Sequence, residues 1–413
     1  MGCFGSKEAP VEDPLAAYRI DGPSEAAGAR QGMVDIDVDG MEFTDVAAAE
    51  AAPPRAKAPP VEAPVPAKQR PQKQRKAEKV QSGKQAPGPP SGGIGAMPAG
   101  LMRQKEAFKK EDFMFIGRTG EECVRMPGQV KGQQFVIDNC TESAVFLLDH
   151  VDSVTIDGCV DCRFYIGPTS GSVFIRDCVG CTLVTVCRQL RTRDCQECTI
   201  LLHCRSRPII ETSRRLRIGC ADAEFGALRT TMNRCGLDPL HNFWSHVHDY
   251  SPAAADQPAN WRPAPRELTS EQALMPVPLP AIEAGFATPE EPRVLLRING
   301  DCYRARGSPS CVVLLPERAA SRAVDVARSL VHAAGMPLLH TNRFEIPHQL
   351  IQAAASRLGV APPALAGVLA YLEVEGSADD ARAVLQQLGV QGAIVSDRHD
   401  LADDLRMLGI DGG

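Results

Sequence analysis

Residues 133–220 carry one short phrase four times: Ile-Asp-Asn-Cys at 137–140, Ile-Asp-Gly-Cys at 156–159, Ile-Arg-Asp-Cys at 175–178 and Thr-Arg-Asp-Cys at 192–195. The cysteines that close the phrase are 19, 19 and 17 residues apart, and a short apolar run follows each one. This period is too short for a pair of helices but accommodates three short strands, so it indicates a unit that stacks on copies of itself. The repeat therefore predicts a parallel β-helix, with Asp and Gly at the corners where a positive φ is useful.

The cysteines of this stretch allow more than one interpretation. Nine of the fifteen cysteines lie between residues 140 and 204, and three pairs have the C-x-x-C spacing that is typical of zinc sites. However, the pairs recur in register with the repeat, and the first copy has Ser143 where the second cysteine would stand. We therefore favour inward ladders of small apolar side chains over zinc, and zinc over disulfides, and we expect no metal and no cofactor.

Composition excludes several classes of protein. The chain has 413 residues, which is enough for two or three domains, and its net charge of −6 does not favour a nucleic-acid-binding protein. It has no run of eighteen apolar residues and no apolar secretory segment near the N-terminus. We therefore expect no membrane-spanning helix and no secretion.

The N-terminal segment predicts a lipid anchor on a long tether. Met1-Gly-Cys-Phe-Gly-Ser6 fits the N-myristoylation pattern with Gly2 as the acceptor, and Cys3 beside it is a candidate for palmitoylation. Residues 1–105 are otherwise rich in Ala, Pro, Glu and Gly, which predicts disorder. A cluster of seven Lys and Arg residues between 68 and 84 fits attraction to anionic lipid and simple solvation equally well.

The remaining chain divides into three parts by composition and pattern. Residues 106–262 form the predicted β-helix domain, and within them the aromatic stretch 241–250 is expected to pack across it as a lid or short helix. Residues 263–292 are rich in Pro and Ala and predict a linker. Residues 293–413 alternate strand and helix patterns, which predicts a small α/β domain with a mixed sheet and a helix capped by Ser377.

One phrase places three arginines in a single coil: Cys187-Arg-Gln-Leu-Arg-Thr-Arg-Asp-Cys195. They cannot all point inward, because a buried charge without a partner is too costly. Arg193 aligns with Arg176 of the preceding copy, whereas Arg191 has no counterpart in the repeat. A rigidly held arginine suits delivery of positive charge to a transferring phosphoryl group, although spacing alone favours simple solvation of an outer face.

Several motifs together resemble the retinitis pigmentosa 2 family of tubulin cofactor C-like proteins. Besides the arginine phrase at 187–195, they include Met1-Gly-Cys-Phe4, Asp112-Phe-Met-Phe115, Pro127-Gly-Gln-Val-Lys-Gly-Gln-Gln-Phe135, Gly171-Ser-Val-Phe-Ile-Arg-Asp-Cys178, Pro208-Ile-Ile-Glu211 and Trp244-Ser-His-Val-His-Asp-Tyr250. The resemblance implies a right-handed parallel β-helix followed by a ferredoxin-like, nucleoside-diphosphate-kinase-like domain. It also implies a GTPase-activating protein that acts on an Arf-like small GTPase in its GTP form.

The same resemblance assigns roles to residues of the motifs. Arg191 falls on the arginine finger, Gln189 on a residue that supports the interface, and Glu211 on one that pairs with the GTPase. Tyr250 stands at a partner-binding position where relatives have Phe. Arg188 stands in the same interface where close relatives have Gln, a departure that bears on partner choice but retains the finger.

The resemblance further implies a place in the cell and leaves alternatives open. It places the chain at the cytoplasmic face of the plasma or ciliary membrane, at the ciliary base, with a role in trafficking of lipidated proteins. The C-terminal domain lacks the active-site histidine of the kinase in residues 391–397, so we expect no phosphotransfer and no active site of the chain's own. The alternatives are a non-catalytic membrane adaptor for a GTP-bound small GTPase and a tubulin-directed cofactor.

Overall fold

The computed structural model of the chain describes residues 109–286, 293–304 and 307–397. The predicted lipidation sites Gly2 and Cys3, together with the whole tether and its basic cluster, lie outside the described residues. Within the described part, no helix has the length and apolar character needed to cross a membrane.

Twelve strands wind in parallel around a hydrophobic core. They are β1 (Met114–Ile116), β2 (Glu122–Arg125), β3 (Phe135–Asp138), β4 (Ala144–Leu147), β5 (Val154–Asp157), β6 (Arg163–Arg176), β7 (Thr182–Arg193), β8 (Thr199–Cys204), β9 (Ile209–Glu211), β10 (Leu216–Cys220), β11 (His248–Asp249) and β12 (Trp261–Pro263). Each strand pairs with its counterpart in the next coil, so the predicted parallel β-helix is confirmed.

Each coil has three faces. Face A consists of β1, β3, β5, the second halves of β6 and β7, β9 and β11. Face C consists of β2, β4, the first halves of β6 and β7, β8, β10 and β12. Face B, between them, is a ladder of single bridges that runs from Thr119 to Arg214. The prediction of three short extended segments per coil therefore holds.

The corners between face A and face B are formed by residues with positive φ. Asn139, Asp177 and Asp194 have φ of 52°, 50° and 53° at equivalent places in successive coils, and Gly158 has 60° in the coil between the first two. Asn, Asp and Gly adopt this left-handed conformation more readily than other residues do. The prediction that Asp and Gly of the repeated phrase occupy corners is confirmed.

Two columns of cysteine side chains fill the interior beside face B. One runs from Cys140 to Cys195 and the other from Cys162 to Cys198, and each of their side chains is at most 1 % exposed. The thiols also bond to main-chain carbonyl groups, as Cys198 Sγ does to the oxygen of Cys178 at 3.6 Å. Every cysteine of the described residues is a free thiol, and no group of three or more His, Cys, Asp or Glu suited to a metal ion occurs among them. Their burial in register confirms the interpretation of core ladders.

A second hydrophobic core covers the outer side of face C. Phe146 and Tyr165 project from this face, and the ring of Tyr165 lies 4.8 Å from that of Phe286. The covering elements are α1 (Leu228–Arg234), α2 (Ser270–Leu274) and α3 (Leu279–Glu283). Residues 263–292, predicted as a linker, thus contain two short helices whose buried apolar residues, Leu274 and Ala281, belong to this core. The domain boundaries themselves stay a prediction.

A four-stranded sheet with helices forms the C-terminal part. Its elements are β13 (Ser310–Leu315), α4 (Glu317–Ala320), α5 (Ala323–Ala334), β14 (Leu338–Glu345), α6 (Ile351–Leu358), β15 (Val368–Glu375), α7 (Ala378–Gln387) and β16 (Ile394–Ser396). The strand order β14-β15-β13-β16 fits the predicted ferredoxin-like fold. All three strand pairs are antiparallel, so the prediction of a mixed sheet was wrong. Ser377 caps α7 as predicted, since its hydroxyl accepts from the amide of Asp380 at 3.1 Å.

Candidate functional site

An open groove with a volume of ≈ 590 Å³ lies on the outer side of face A, over the last coils of the β-helix. We name it the face A groove; its lining residues are Phe174, Arg176, Arg191, Thr192, Arg193, Ile209, Glu211 and Tyr250. Alternate residues of a strand point to opposite sides, so the outward positions of β6, β7 and β9 form its floor. The groove therefore inherits its geometry from the stacking of the coils.

Arg191 lies in the middle of the groove floor. In the strand register it is flanked by Phe174 of the preceding coil and Ile209 of the following coil. Its side chain is exposed, while its neighbours Leu190 and Thr192 are buried. Among the described residues, the guanidinium group of Arg191 has no hydrogen-bond or ion-pair partner. The backbone of Arg191 is thus fixed by the strand, while its guanidinium group makes no ion pair or hydrogen bond with the described residues.

The other two arginines of the floor already have acidic partners. Arg176 pairs with Asp157 at 2.5 Å, and Arg193 pairs with Asp194 at 3.3 Å. Arg176 and Arg193 are register neighbours, as the repeat predicted. Both pairs are solvent-exposed and so contribute little to stability, but they partly neutralise those two cations. Arg191 is therefore the groove arginine whose charge is available to a ligand.

Glu211 and Tyr250 line the same groove as Arg191. Glu211 follows Arg193 in the register, and its side chain is exposed without a partner among the described residues. Tyr250 is 65 % exposed, and its amide donates to the carbonyl oxygen of Ile210 at 2.9 Å. The structure thus brings together three of the residues that the sequence singled out for partner binding or catalysis.

Gln189 and Arg188 lie near the groove but do not line it. Gln189 is two residues before Arg191 on β7, on the same outward side, and its Oε1 accepts from the hydroxyl of Ser172 at 3.2 Å. Arg188 is exposed one residue earlier, where its carbonyl group accepts from the amide of Ser206 at 3.0 Å. The roles assigned to all five residues stay predictions.

Three side chains with strongly shifted pKa values lie outside the groove lining. Burial raises the pKa of Glu224 to about 7, and burial lowers the pKa of His203 to about 4 and that of His241 to about 4. Strongly shifted groups mark candidate sites of proton transfer when they line a cleft, and none of these three lines the face A groove. The groove therefore suits binding and charge delivery rather than acid–base chemistry.

Sequence reasoning missed two apolar residues of the groove, Phe174 and Ile209. Both lie inside recognised motifs, but they were quoted only as parts of phrases. Phe174 occupies the position of Arg191 in the preceding coil, and Ile209 occupies it in the following coil. An alignment of the three coils therefore identifies both residues. They give Arg191 an apolar surround, which strengthens its electrostatic interactions by excluding water when a partner docks.

Comparison with known proteins places the groove inside a recognised domain. Residues 132–250 match the family model described as Tubulin binding cofactor C. The chain is 33 % identical to Protein XRP2 of Mus musculus over 213 residues. This alignment covers 51 % of this chain and 60 % of the mouse protein. The chain is 36 % identical over 213 residues to Protein XRP2 of Danio rerio, covering 51 % and 55 % of the two chains.

A more distant relative is Tubulin-folding cofactor C of Arabidopsis thaliana, 29 % identical over 134 residues, or 32 % of this chain and 39 % of the plant protein. The chain thus spans little more than half the length of the XRP2 relatives that it matches. The resemblance inferred from the motifs is confirmed over residues 132–250, and this matched region contains every groove residue.

Proposed function

We propose that this chain activates GTP hydrolysis by an Arf-like small GTPase, with Arg191 as the residue that enters the partner's active site. The observation that carries the proposal is that Arg191 is the arginine of the groove floor that lacks an acidic partner among the described residues, whereas Arg176 and Arg193 have one. The backbone of Arg191 is already held by a rigid strand before the partner arrives, so only its side chain must be ordered. Docking therefore costs less ordering entropy than it would for an arginine on a mobile loop.

The division of labour follows from the chemistry of phosphoryl transfer. The GTPase holds GTP, Mg²⁺ and the attacking water, and Arg191 neutralises charge that develops on the phosphoryl oxygens. A finger of this kind accelerates hydrolysis by about 10³–10⁵-fold, which corresponds to about 4–7 kcal/mol of barrier. The chain itself supplies no nucleophile and no base in this mechanism.

The remaining groove residues bind the partner. Glu211 lies one coil beyond Arg193 and offers a carboxylate to a basic side chain of the GTPase. Tyr250 offers a largely exposed aromatic ring at the groove edge, and Gln189 offers an amide on the same strand as Arg191. Aromatic rings of this kind anchor interfaces because they bury a large area with few rotatable bonds.

The N-terminal motif supports a place for this activity at a membrane. Acylation of both Gly2 and Cys3 would hold the chain stably at the cytoplasmic face of the plasma or ciliary membrane, since one acyl chain alone holds only marginally. The long tether would let the β-helix reach a GTPase on the same membrane. We place the chain at the ciliary base, in trafficking of lipidated proteins.

The test is single-turnover GTP hydrolysis by a panel of Arf-like proteins, with and without the full chain. We expect acceleration of one member, its loss in Arg191→Ala, and unchanged binding of the GTP form by that variant. Arg193→Ala is the matched control, since it removes a neighbouring exposed arginine that has a partner. No acceleration of any member by the wild-type chain would contradict the proposal.

Two other functions remain as alternatives. A non-catalytic adaptor would use the same groove to bind the GTP form, and it predicts binding without acceleration. A tubulin-directed role has support in the matched family's description and in the name of the plant relative. It predicts that the wild-type chain co-sediments with tubulin and accelerates no Arf-like protein.

A further inference from the structure

The C-terminal sheet and the face A groove are connected by one segment, residues 238–250. We infer that the C-terminal domain sets the position of Tyr250 through this segment, and thereby the affinity of the groove for its partner. The identity of that partner rests on the proposed function. The claim that the C-terminal domain positions Tyr250 does not depend on the proposed function. It gives the C-terminal domain a positioning role although the domain contributes no residue to the groove lining.

The groove end of the segment is a very short strand. Strand β11 has two residues and lies at the end of face A, where the amide of His248 donates to Pro208 and that of Tyr250 to Ile210, at 2.8 and 2.9 Å. A strand this short at the edge of a stack opens readily unless other contacts fix it. The position of Tyr250 therefore depends on the contacts on both sides of β11. After β11, Ser251 Oγ accepts from the amide of Thr212 at 2.5 Å and Asn260 Nδ2 donates to Asp249 Oδ2 at 2.9 Å. Before β11, it depends on what holds residues 238–244.

The other end of the segment is held by the C-terminal sheet. Thr341 on β14 donates its hydroxyl to the carbonyl oxygen of Leu240 at 2.6 Å, and Arg343 on the same strand pairs with Asp238 at 3.1 Å. Phe243 is 3 % exposed and packs in the apolar core beneath the C-terminal sheet. These contacts attach residues 238–243 to the C-terminal sheet.

The middle of the segment is fixed to the β-helix and to the start of the C-terminal part. The amide of Phe243 donates to the carbonyl oxygen of Cys204 at 2.7 Å, and Asn242 Oδ1 accepts from the amide of Cys204 at 3.0 Å. Trp244 is fully buried, and its indole nitrogen donates to Ile298 at 2.8 Å. Only three residues separate Trp244 from β11, which leaves a short path from Trp244 to Tyr250.

Hydrogen exchange of the full chain tests the structural half. Thr341→Val keeps the shape of the side chain but leaves the buried Leu240 carbonyl group without its hydroxyl donor. We expect the amides of His248 and Tyr250 to exchange about five- to tenfold faster, as for loss of one buried hydrogen bond. The matched control is Ser377→Ala, which removes the cap of α7 in the same domain without touching residues 238–250. Unchanged exchange at β11, or the same increase in both variants, would overturn the inference.

Turnover by the responsive GTPase tests the functional half. We expect Thr341→Val to raise the concentration needed for half-maximal activation about fivefold, with the maximal rate unchanged, because Arg191 is untouched. In a Tyr250→Ala background the same change should add less than about twofold, since the residue it positions is gone. Additive effects, or a fall in the maximal rate, would overturn it.

A second variant guards against misfolding of the first. Asp238→Asn breaks a partly exposed pair with Arg343, so it should leave the fold intact and give about a twofold change in the same direction. If no GTPase responds to the wild-type chain, the proposed function fails and the exchange experiment alone decides the structural half. If a GTPase responds but exchange at β11 is the same in all variants, the inference fails while the proposed function stands.

Discussion

The inner and outer sides of face A are formed by the same coils. Residue types are nearly constant along the inner side, whereas they change from coil to coil along the outer side. The inward column reads Ile137, Ile156, Ile175, Thr192 and Ile210, all at most 2 % exposed. The outward column beside it reads Val136, Thr155, Phe174, Arg191, Ile209 and His248. The interior repeats because each side chain packs on its equivalents in the neighbouring coils.

The two departures from the pattern differ in how they are accommodated. Thr192 interrupts the inward column, and its hydroxyl lies 3.3 Å from that of Ser213, which is also buried. Arg191 interrupts the outward column and has no partner in the described part of the chain. A buried polar group must be satisfied within the fold, whereas an exposed one is free to serve a ligand. In a stacked fold, an unpartnered departure on the outside is therefore the better marker of function.

The strongest test of this contrast moves the arginine by one coil. The double variant Arg191→Phe with Phe174→Arg keeps the composition of the outward column but displaces the charge by about 4.8 Å. We expect loss of about 10³–10⁵-fold in GTP hydrolysis under single-turnover conditions, because the finger must meet the phosphoryl oxygens. Arg191→Lys should fail as well, since an ammonium group lacks the planar fork. Near wild-type activity of the swapped variant would show that the charge matters but its position does not.

The interior should respond to truncation through stability rather than activity. Ile175→Ala empties a fully buried position of the inward column. We expect a loss of about 2–5 kcal/mol in the free energy of unfolding, because the stacked neighbours collapse only partly into the cavity. Urea denaturation measures it. A change below about 0.5 kcal/mol, the usual size for a surface substitution, would contradict a tightly packed ladder.

Glu224 is a polar group buried beside face C, and its contribution to stability should depend on pH. Burial raises the pKa of Glu224 to about 7, although its Oε1 accepts from the amide of Leu295 at 2.9 Å. Above the ordinary carboxyl pKa the unfolded chain has released this proton while the folded chain retains it, so the contribution of Glu224 to stability falls between about pH 4.5 and pH 7.

Glu224→Gln should remove that dependence while keeping an acceptor for Leu295. Relative to the wild type, we expect the variant to gain roughly 3 kcal/mol between pH 5 and pH 8, from the displacement of the pKa. Urea denaturation at both pH values measures the gain. The same difference between variant and wild type at both pH values would refute a buried, protonated carboxyl group.

The smallest effect is expected on the outer surface. Arg176 follows Ile175 in the sequence but points to the outer side of the strand. Arg176→Ala removes its exposed ion pair with Asp157. We expect a loss of less than about 1 kcal/mol, since exposed pairs are weak and screened. Comparing its urea midpoint with that of Ile175→Ala contrasts the two sides of one strand directly. Equal losses would mean that the outer pair is part of the packing.

Much of the fold could be predicted because its causes are local. The period of the cysteine phrase, the corner residues such as Asp177 and the alternation along β7 are all visible in the sequence. The packing of residues 263–286 on face C was not predicted, because a Pro- and Ala-rich composition is also typical of linkers. The antiparallel pairing of the C-terminal sheet depends on strand order, which periodicity does not contain.

The candidate site divides in the same way. The sequence by itself determined the stacked coils, the inward cysteines and the singular place of Arg191, because neighbouring coils repeat and a departure is visible within the repeat. Only the tertiary structure decided that Arg176 and Arg193 have acidic partners while Arg191 has none among the described residues, and that Tyr250 lines the same groove. Such ion pairs and the return of residue 250 to face A depend on distances between coils and domains, which no local pattern encodes.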